Sequence, residues 1–191
     1  MKPIERGELL PLAEYEGIRE RFRARIIGVK AARRARLGDE MSIVFENRDT
    51  VLWQIQEMLR TERITAEPAI RHELDTYNEL LPGGAELSAT LFIEVQDRDR
   101  RDELLTRLCA IEEHVALEVS GHLARATFEE GRRDRGRAAA VQYLKFPLGP
   151  EALAALRGGE AEVAIVFDHP HLRARHALPA TMVAALREDA G

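Results

Sequence analysis

The stretch that decides the fold is Ile43-Val44-Phe45-Glu46-Asn47-Arg48-Asp49-Thr50-Val51-Leu52-Trp53-Gln54-Ile55-Gln56-Glu57-Met58-Leu59-Arg60. It reads as a short apolar strand, residues 41–46, that runs directly into a helix over residues 50–63. Val51, Leu52, Ile55, Met58 and Leu59 recur at helical spacing and form the buried face, and Asp49 is placed to cap the first turn. Polar groups crowd the joint. Glu46, Asn47, Arg48 and Asp49 lie at the strand end and helix start, and Gln54, Glu57 and Arg60 follow on the helix. Positions 53, 57 and 60 share one helix face, so Trp53, Glu57 and Arg60 are neighbours. Two readings stay open for this block. It is a buried ion network that locks strand to helix, or a ligand pocket in which a helix N-terminus with Asn and Arg holds an anion.

On the N-terminal side, Leu12, Tyr15, Ile18, Phe22, Ile26 and Val29 make one apolar stripe, which predicts a long helix over 11–37 closed by Gly38. Between positions 19 and 36 the chain carries seven Arg and one Lys against one Glu, although the whole molecule has a net charge of −5. The simpler reading is that these cations complement a helix end and pair with the acidic remainder of the chain or of a second copy in a homo-oligomer. Alternatively Arg19, Arg23, Lys30, Arg33 and Arg34 offer a docking face for a protein partner. Nucleic acid is disfavoured, because no stacking aromatics interleave with the arginines apart from Phe22, which belongs to the apolar stripe.

On the C-terminal side a helix over 66–80 has Pro68 in its first turn and ends at Pro82-Gly83-Gly84. The period then changes to two. Leu87, Ala89, Leu91, Ile93 and Val95 alternate with polar residues, and Val115, Leu117 and Val119 lead through Gly121 into a return strand over 122–128. A charged helix over 98–112 separates these strands. An exposed loop over 129–137, strands at 139–146 and 161–167, a short helix over 151–157 and a terminal helix over 179–189 complete the order. The expected class is α+β, with a helical N-terminal part followed by an antiparallel or mixed sheet under covering helices. Residues 1–191 read as a single domain, with a subdomain break at 82–84.

The composition excludes several functions. A single cysteine, Cys109, sits in an apolar helical pattern as a buried thiol, so the chain alone makes no disulfide and no four-cysteine metal site. No apolar run approaches the length of a membrane span, which suits a cytoplasmic protein. Dinucleotide, P-loop, metalloprotease and nucleophile-elbow motifs do not occur, so no cofactor is expected. Asp168 and His169, followed by Pro170, His171 and His176, could suit a metal, but Asp-His-Pro is also a natural turn, and that reading is preferred.

The block Phe45-Glu46-Asn47-Arg48-Asp49-Thr50-Val51-Leu52, continued by Gln54 to Arg60 and Glu62-Arg63-Ile64, resembles the signature of an uncharacterised bacterial family. That family is a domain of unknown function, number thirty-five hundred and one. Leu9-Leu10-Pro11-Leu12, Tyr77-Asn78, Leu80-Leu81-Pro82, Ala89-Thr90-Leu91 and Asp168-His169-Pro170 are similar in the same order, so the resemblance spans the chain. His171 and His176 lie outside it. The resemblance implies an accessory, partner-binding role in a cytoplasmic redox or peroxide-defence system. The implied partners are rubrerythrin-like di-iron proteins and iron–sulfur oxidoreductases. Whether the protein is an enzyme stays open. The alternative is a small-molecule-binding enzyme or sensor, with a pocket formed by Glu46, Asn47, Arg48, Asp49, Gln54, Glu57, Asp168 and His169.

Overall fold

The computed structural model describes residues 1–128 and 136–190. After a short 3-10 turn at Arg6–Glu8, the chain forms α1 (Leu12–Ala31), β1 (Arg34–Arg36), β2 (Met41–Phe45), α2 (Arg48–Thr61) and α3 (Glu67–Asn78). Then follow β3 (Glu86–Ile93), α4 (Arg98–Arg107), β4 (Val115–Val119), β5 (His122–Arg125) and β6 (Val141–Pro147). The last elements are α5 (Pro150–Gly158), β7 (Val163–His169), β8 (Leu172–Ala177) and α6 (Ala180–Asp189).

The class is α+β, and the strands form two four-stranded antiparallel sheets where the sequence suggests one. The first has the order β1-β2-β3-β6 and the second β5-β4-β7-β8. Their inner faces share one apolar core. Ile43, Phe45, Leu91 and Phe146 of the first sheet join Val115, Leu117, Ile165 and Phe167 of the second, and Leu105, Leu156 and Leu186 of α4, α5 and α6 complete it. A second, smaller core lies in the helical layer. Val51, Ile55 and Leu59 of α2 pack there with Ile70, Leu74 and Tyr77 of α3 and with Ile4 and Leu9.

The first sheet lies between these cores, so β2 is buried at all five positions, with Ser42 the one polar residue in an otherwise apolar run. Side-chain alternation divides β3 in the same way. Leu87, Ala89 and Leu91 enter the larger core, while Ser88 and Thr90 are buried on the opposite face, toward the helices.

Three local differences from the sequence expectation have physical causes. The first helix stops at Ala31, and Arg34-Ala35-Arg36 is an edge strand paired to Val44, Ile43 and Ser42. Ala35 and Leu37 point inward and the arginines outward, a period of two that the arginine run disguises as a helix end. Gly38 does take positive φ, +79°, but in the turn between β1 and β2 and not as a helix cap. The cap of α2 is Asn47 and not Asp49: Asn47 Oδ1 accepts from the Thr50 N–H at 3.0 Å, and Thr50 Oγ1 accepts from the Asn47 N–H at 3.0 Å.

Past the middle of the chain, the helix expected over 98–112 ends at Arg107, and a 3-10 turn follows at Ile111–His114. Asp168-His169-Pro170 closes β7 and turns the chain into β8, an edge strand in a stretch to which the sequence reading assigns no element. Cys109 is half-buried, not buried. Residues 129–135 of the expected loop lie outside the described residues.

Residues near both ends of the described chain are tied down. The N-terminal ammonium of Met1 donates to Pro82 O at 3.0 Å. Asn78 holds Ile4 through both amide atoms, at 2.8 and 3.0 Å. Arg33 and Asp189 form a bidentate pair whose side chains are 7% and 6% exposed, and its second bond is 3.0 Å. Burial pushes the Asp189 carboxyl up, and Arg33 opposes it.

Candidate functional site

Glu46 continues β2 by one residue, and its N–H donates to Ser88 O at 2.8 Å. Alternation turns its side chain away from the main core and under α2, where it is 3% exposed. Each carboxylate oxygen accepts one hydroxyl. Thr50 Oγ1 donates at 2.5 Å from α2, and Thr90 Oγ1 donates at 2.6 Å from β3. Because the Thr50 oxygen also accepts from the Asn47 N–H, one relay joins the helix cap, the carboxylate and the sheet. Lys30 lies nearby on α1, with Nζ 4.6 Å from the centroid of the Trp53 ring. Burial pulls the Lys30 ammonium below its usual range, and the Glu46 charge pushes the other way. Strand and helix are thus tied through two hydroxyls and one carboxylate, and not through the carboxylates with an arginine between that the sequence suggests.

The other residues of the block point elsewhere. Arg48 clasps the N-terminal segment, bonding Lys2 O at 3.1 Å and the Glu8 carboxylate. Asp49 pairs with Arg25. Glu57 joins α1 to α2: it accepts from Tyr15 Oη at 2.8 Å, from Arg19 at 2.8 and 2.9 Å and from Arg60 Nε at 3.2 Å. The Arg19 bonds chiefly hold its pKa down to about 2, with Tyr15 and Arg60 adding and burial opposing. Burial and the Glu57 carboxylate raise the Tyr15 phenol well above its ordinary value. Gln54 reaches Tyr143 Oη at 3.5 Å, the outer limit of a hydrogen bond.

Asp168 and His169 belong to the second sheet and share none of these partners. Asp168 accepts from Arg125 at 2.8 Å and meets His114 Nδ1 at 3.2 Å, and the Arg125 bond chiefly holds its carboxyl below the usual range. His169 is 4% exposed. Its Nε2 lies 3.0 Å from Cys109 O and its Nδ1 accepts from the His171 N–H at 3.2 Å, which assigns the neutral ring with its proton on Nε2. Both ring nitrogens are thus committed to backbone. The His114 ring stands edge-on at 5.0 Å, but among the described residues no three His, Cys, Asp or Glu side chains are arranged to hold a metal ion.

The eight expected pocket residues are therefore divided among separate clusters. Glu46 and Asn47 share one, Arg48, Asp49 and Glu57 make three separate clasps, Gln54 reaches toward Tyr143, and Asp168 with His169 lies on the other sheet. Among the cations proposed for docking, Arg19 is bound to Glu57, and Arg34 to Glu94 at 3.1 Å. Arg33 is buried on Asp189 and Lys30 is half-buried against Trp53. Arg23 is exposed.

A cleft in the surface lies beside the Glu46 network and not at the joint itself. It encloses about 540 Å³ between α3 and the helix-side face of the first sheet. Tyr77, Thr76 and Glu73 of α3 form one wall, and Ser88, Tyr143 and Lys145 of β3 and β6 form the other. Thr127 and Phe128 close one end. Tyr143 connects the cleft to the network, because Thr90 is its cross-strand partner and Gln54 its neighbour from α2. Lys145 Nζ is paired to Glu86 at 3.0 Å. The sequence reading missed this site, since its lining comes from four separated segments. The one available signal was aromatic scarcity, against which Tyr77, Phe128 and Tyr143 stand out.

No match was found among curated proteins. Among solved structures, the chain is similar to a novel protein of unknown function from Burkholderia pseudomallei K96243. The two are 34% identical, with 98% of this chain and 99% of that chain covered and a TM-score of 0.92. The model of the family described as "Protein of unknown function (DUF3501)" matches residues 3–190, so the chain belongs to that family.

Proposed function

We propose that the chain is a small-molecule-binding protein whose site is the cleft between α3 and the helix-side face of the first sheet. The observation that carries this reading is the cleft's construction. A space of about 540 Å³, inside the range of about 300–1,000 Å³ typical of ligand sites, has both aromatic and hydroxyl-bearing walls. One wall is fixed in place by the Glu46–Thr90 bond beneath it. A sheet face buried under helices would ordinarily be apolar. Here Ser88, Thr90 and Glu46 make it polar, and that polarity runs up to the cleft. Saturation-transfer NMR of the full chain against a fragment library tests the reading. Fragments should bind, and the signal should fall in Tyr143→Leu. A library with no binders, or binders indifferent to Tyr143→Leu, sinks it.

A second reading is the accessory role that the family resemblance implies, docking on a rubrerythrin-like or iron–sulfur oxidoreductase partner in a cytoplasmic redox system. The observation in its favour is on α1, where Ile18 and Ile27 are 40% and 55% exposed beside the exposed Arg21 and Arg23. Ile18 beside Arg21 and Ile27 beside Arg23 lie on opposite flanks of the helix, and each pair offers a small apolar and cationic contact to an acidic partner. Co-purification with neighbouring gene products, weakening as salt rises, supports this role, and no complex at low salt rejects it. Nucleic acid is a poorer fit, because Arg19, Arg25, Arg33, Arg34 and Arg36 are each paired to carboxylates.

A further inference from the structure

The chain has one Trp, three Tyr and six Phe among 191 residues, yet Tyr77, Phe128 and Tyr143 all line one cleft. Tyr77 comes from α3, Tyr143 from β6 on the facing wall, and Phe128 from the segment bridged to β6 at Thr127. Tyr77 is 8% exposed and anchored in the helical core, and Tyr143 packs against the same core, so both rings are fixed by their surroundings. Rigid rings on facing walls favour a flat ligand, since stacking on an aromatic side chain contributes roughly 1–3 kcal/mol per base-like ring.

Hydroxyl groups stand around these rings, from Thr76, Ser88 and Thr127. A hydroxyl both donates and accepts, which suits a ring edge carrying donors and acceptors together. The charges select further. Glu73 and Glu79 line the α3 side, and Lys145, the only Lys or Arg among the described lining residues, is already paired with Glu86. Among the described lining residues, a phosphate would meet carboxylates and no uncommitted ammonium.

We infer that the cleft takes a neutral or cationic planar heteroaromatic compound of nucleobase or nucleoside size and discriminates against its phosphorylated forms. The inference rests on the proposed ligand-binding role of the cleft. Its test uses the full chain and isothermal titration with adenosine, uridine and tryptamine, each nucleoside paired with its 5′-monophosphate. Glucose and hexanoate serve as non-aromatic probes.

At least one aromatic probe should bind, at least tenfold more weakly in Tyr143→Leu. A nucleoside that binds should exceed its monophosphate by at least tenfold, and Glu73→Lys should narrow that gap, with an unchanged thermal unfolding midpoint showing that the variant is folded. Binding of glucose or hexanoate alone, lost in Tyr143→Leu, overturns the ligand class and leaves the cleft as a site. Monophosphates binding as well as nucleosides overturn the discrimination. No binding of any probe at millimolar concentration overturns the ligand class, and the fragment screen then decides the cleft separately.

Discussion

Thr90 on the central region of the first sheet and Glu46 at the end of β2 are joined by a 2.6 Å hydroxyl–carboxylate bond, with both residues at most 3% exposed. A hydrogen bond to a buried charge contributes about 1.5–3 kcal/mol. Thr90→Val keeps the shape and removes the donor, and it should lower the urea unfolding free energy by about that amount. Thr50→Val removes the other donor, and the double variant should cost more than either alone. A Thr90→Val protein within 0.5 kcal/mol of the parent, an estimate below the usual range for such a bond, would contradict the network.

The Glu57 clasp makes stability depend on acid. Its carboxyl is held down to about 2 in the folded chain against an ordinary 4.5, so its stabilisation is fully present above about 4.5. It is lost as pH falls from there toward 2, because the unfolded chain takes up the proton first. Partial solvent access limits the effect to about 1–2 kcal/mol. Glu57→Gln should flatten the acid limb of the stability curve, measured by urea unfolding at stepped pH. An unchanged acid limb would count against the clasp.

Arg33 and Asp189 tie the start of β1 to the last helix through a buried pair. Asp189→Asn leaves a buried guanidinium uncompensated and should cost about 3–5 kcal/mol. The double change Arg33→Met with Asp189→Leu should recover most of that loss. Equal stability of the single and double variants in thermal unfolding would show that the pair is not the cause.

His169 holds two backbone groups, Cys109 O and the His171 N–H, at the closed end of β7. His169→Ala should cost about 1–3 kcal/mol by leaving those groups without a partner. Hydrogen exchange should also speed at His171. Unaltered exchange there would remove the structural role assigned to the ring.

Element types were legible in the sequence wherever one period ran for many residues, as in α2, α3 and β3. Arg34-Ala35-Arg36 was not, because a three-residue strand has too few positions to show its period, and arginines suit a helix end equally well. β8 was hidden by its composition: Leu172-Arg173-Ala174-Arg175-His176-Ala177 is an edge whose inward residues, Leu172, Ala174 and His176, are only half-buried and include a single large apolar side chain. The importance of Glu46 to the seam could be read from its place at a strand–helix joint. Its direction could not, since that depends on which face of β2 meets the helices. The cleft had no local signature at all, because Tyr77, Ser88 and Tyr143 meet only after α3 has packed over the sheet.

Backbone chemical-shift mapping with a bound fragment tests the central claim most directly. The account predicts that the largest changes fall together on Thr76, Tyr77, Ser88, Thr127 and Tyr143, with smaller ones at Gln54 behind Tyr143. Changes centred on Ile18 and Ile27 of α1, or on Asp168 and Arg125 of the second sheet, with the cleft silent, would contradict it.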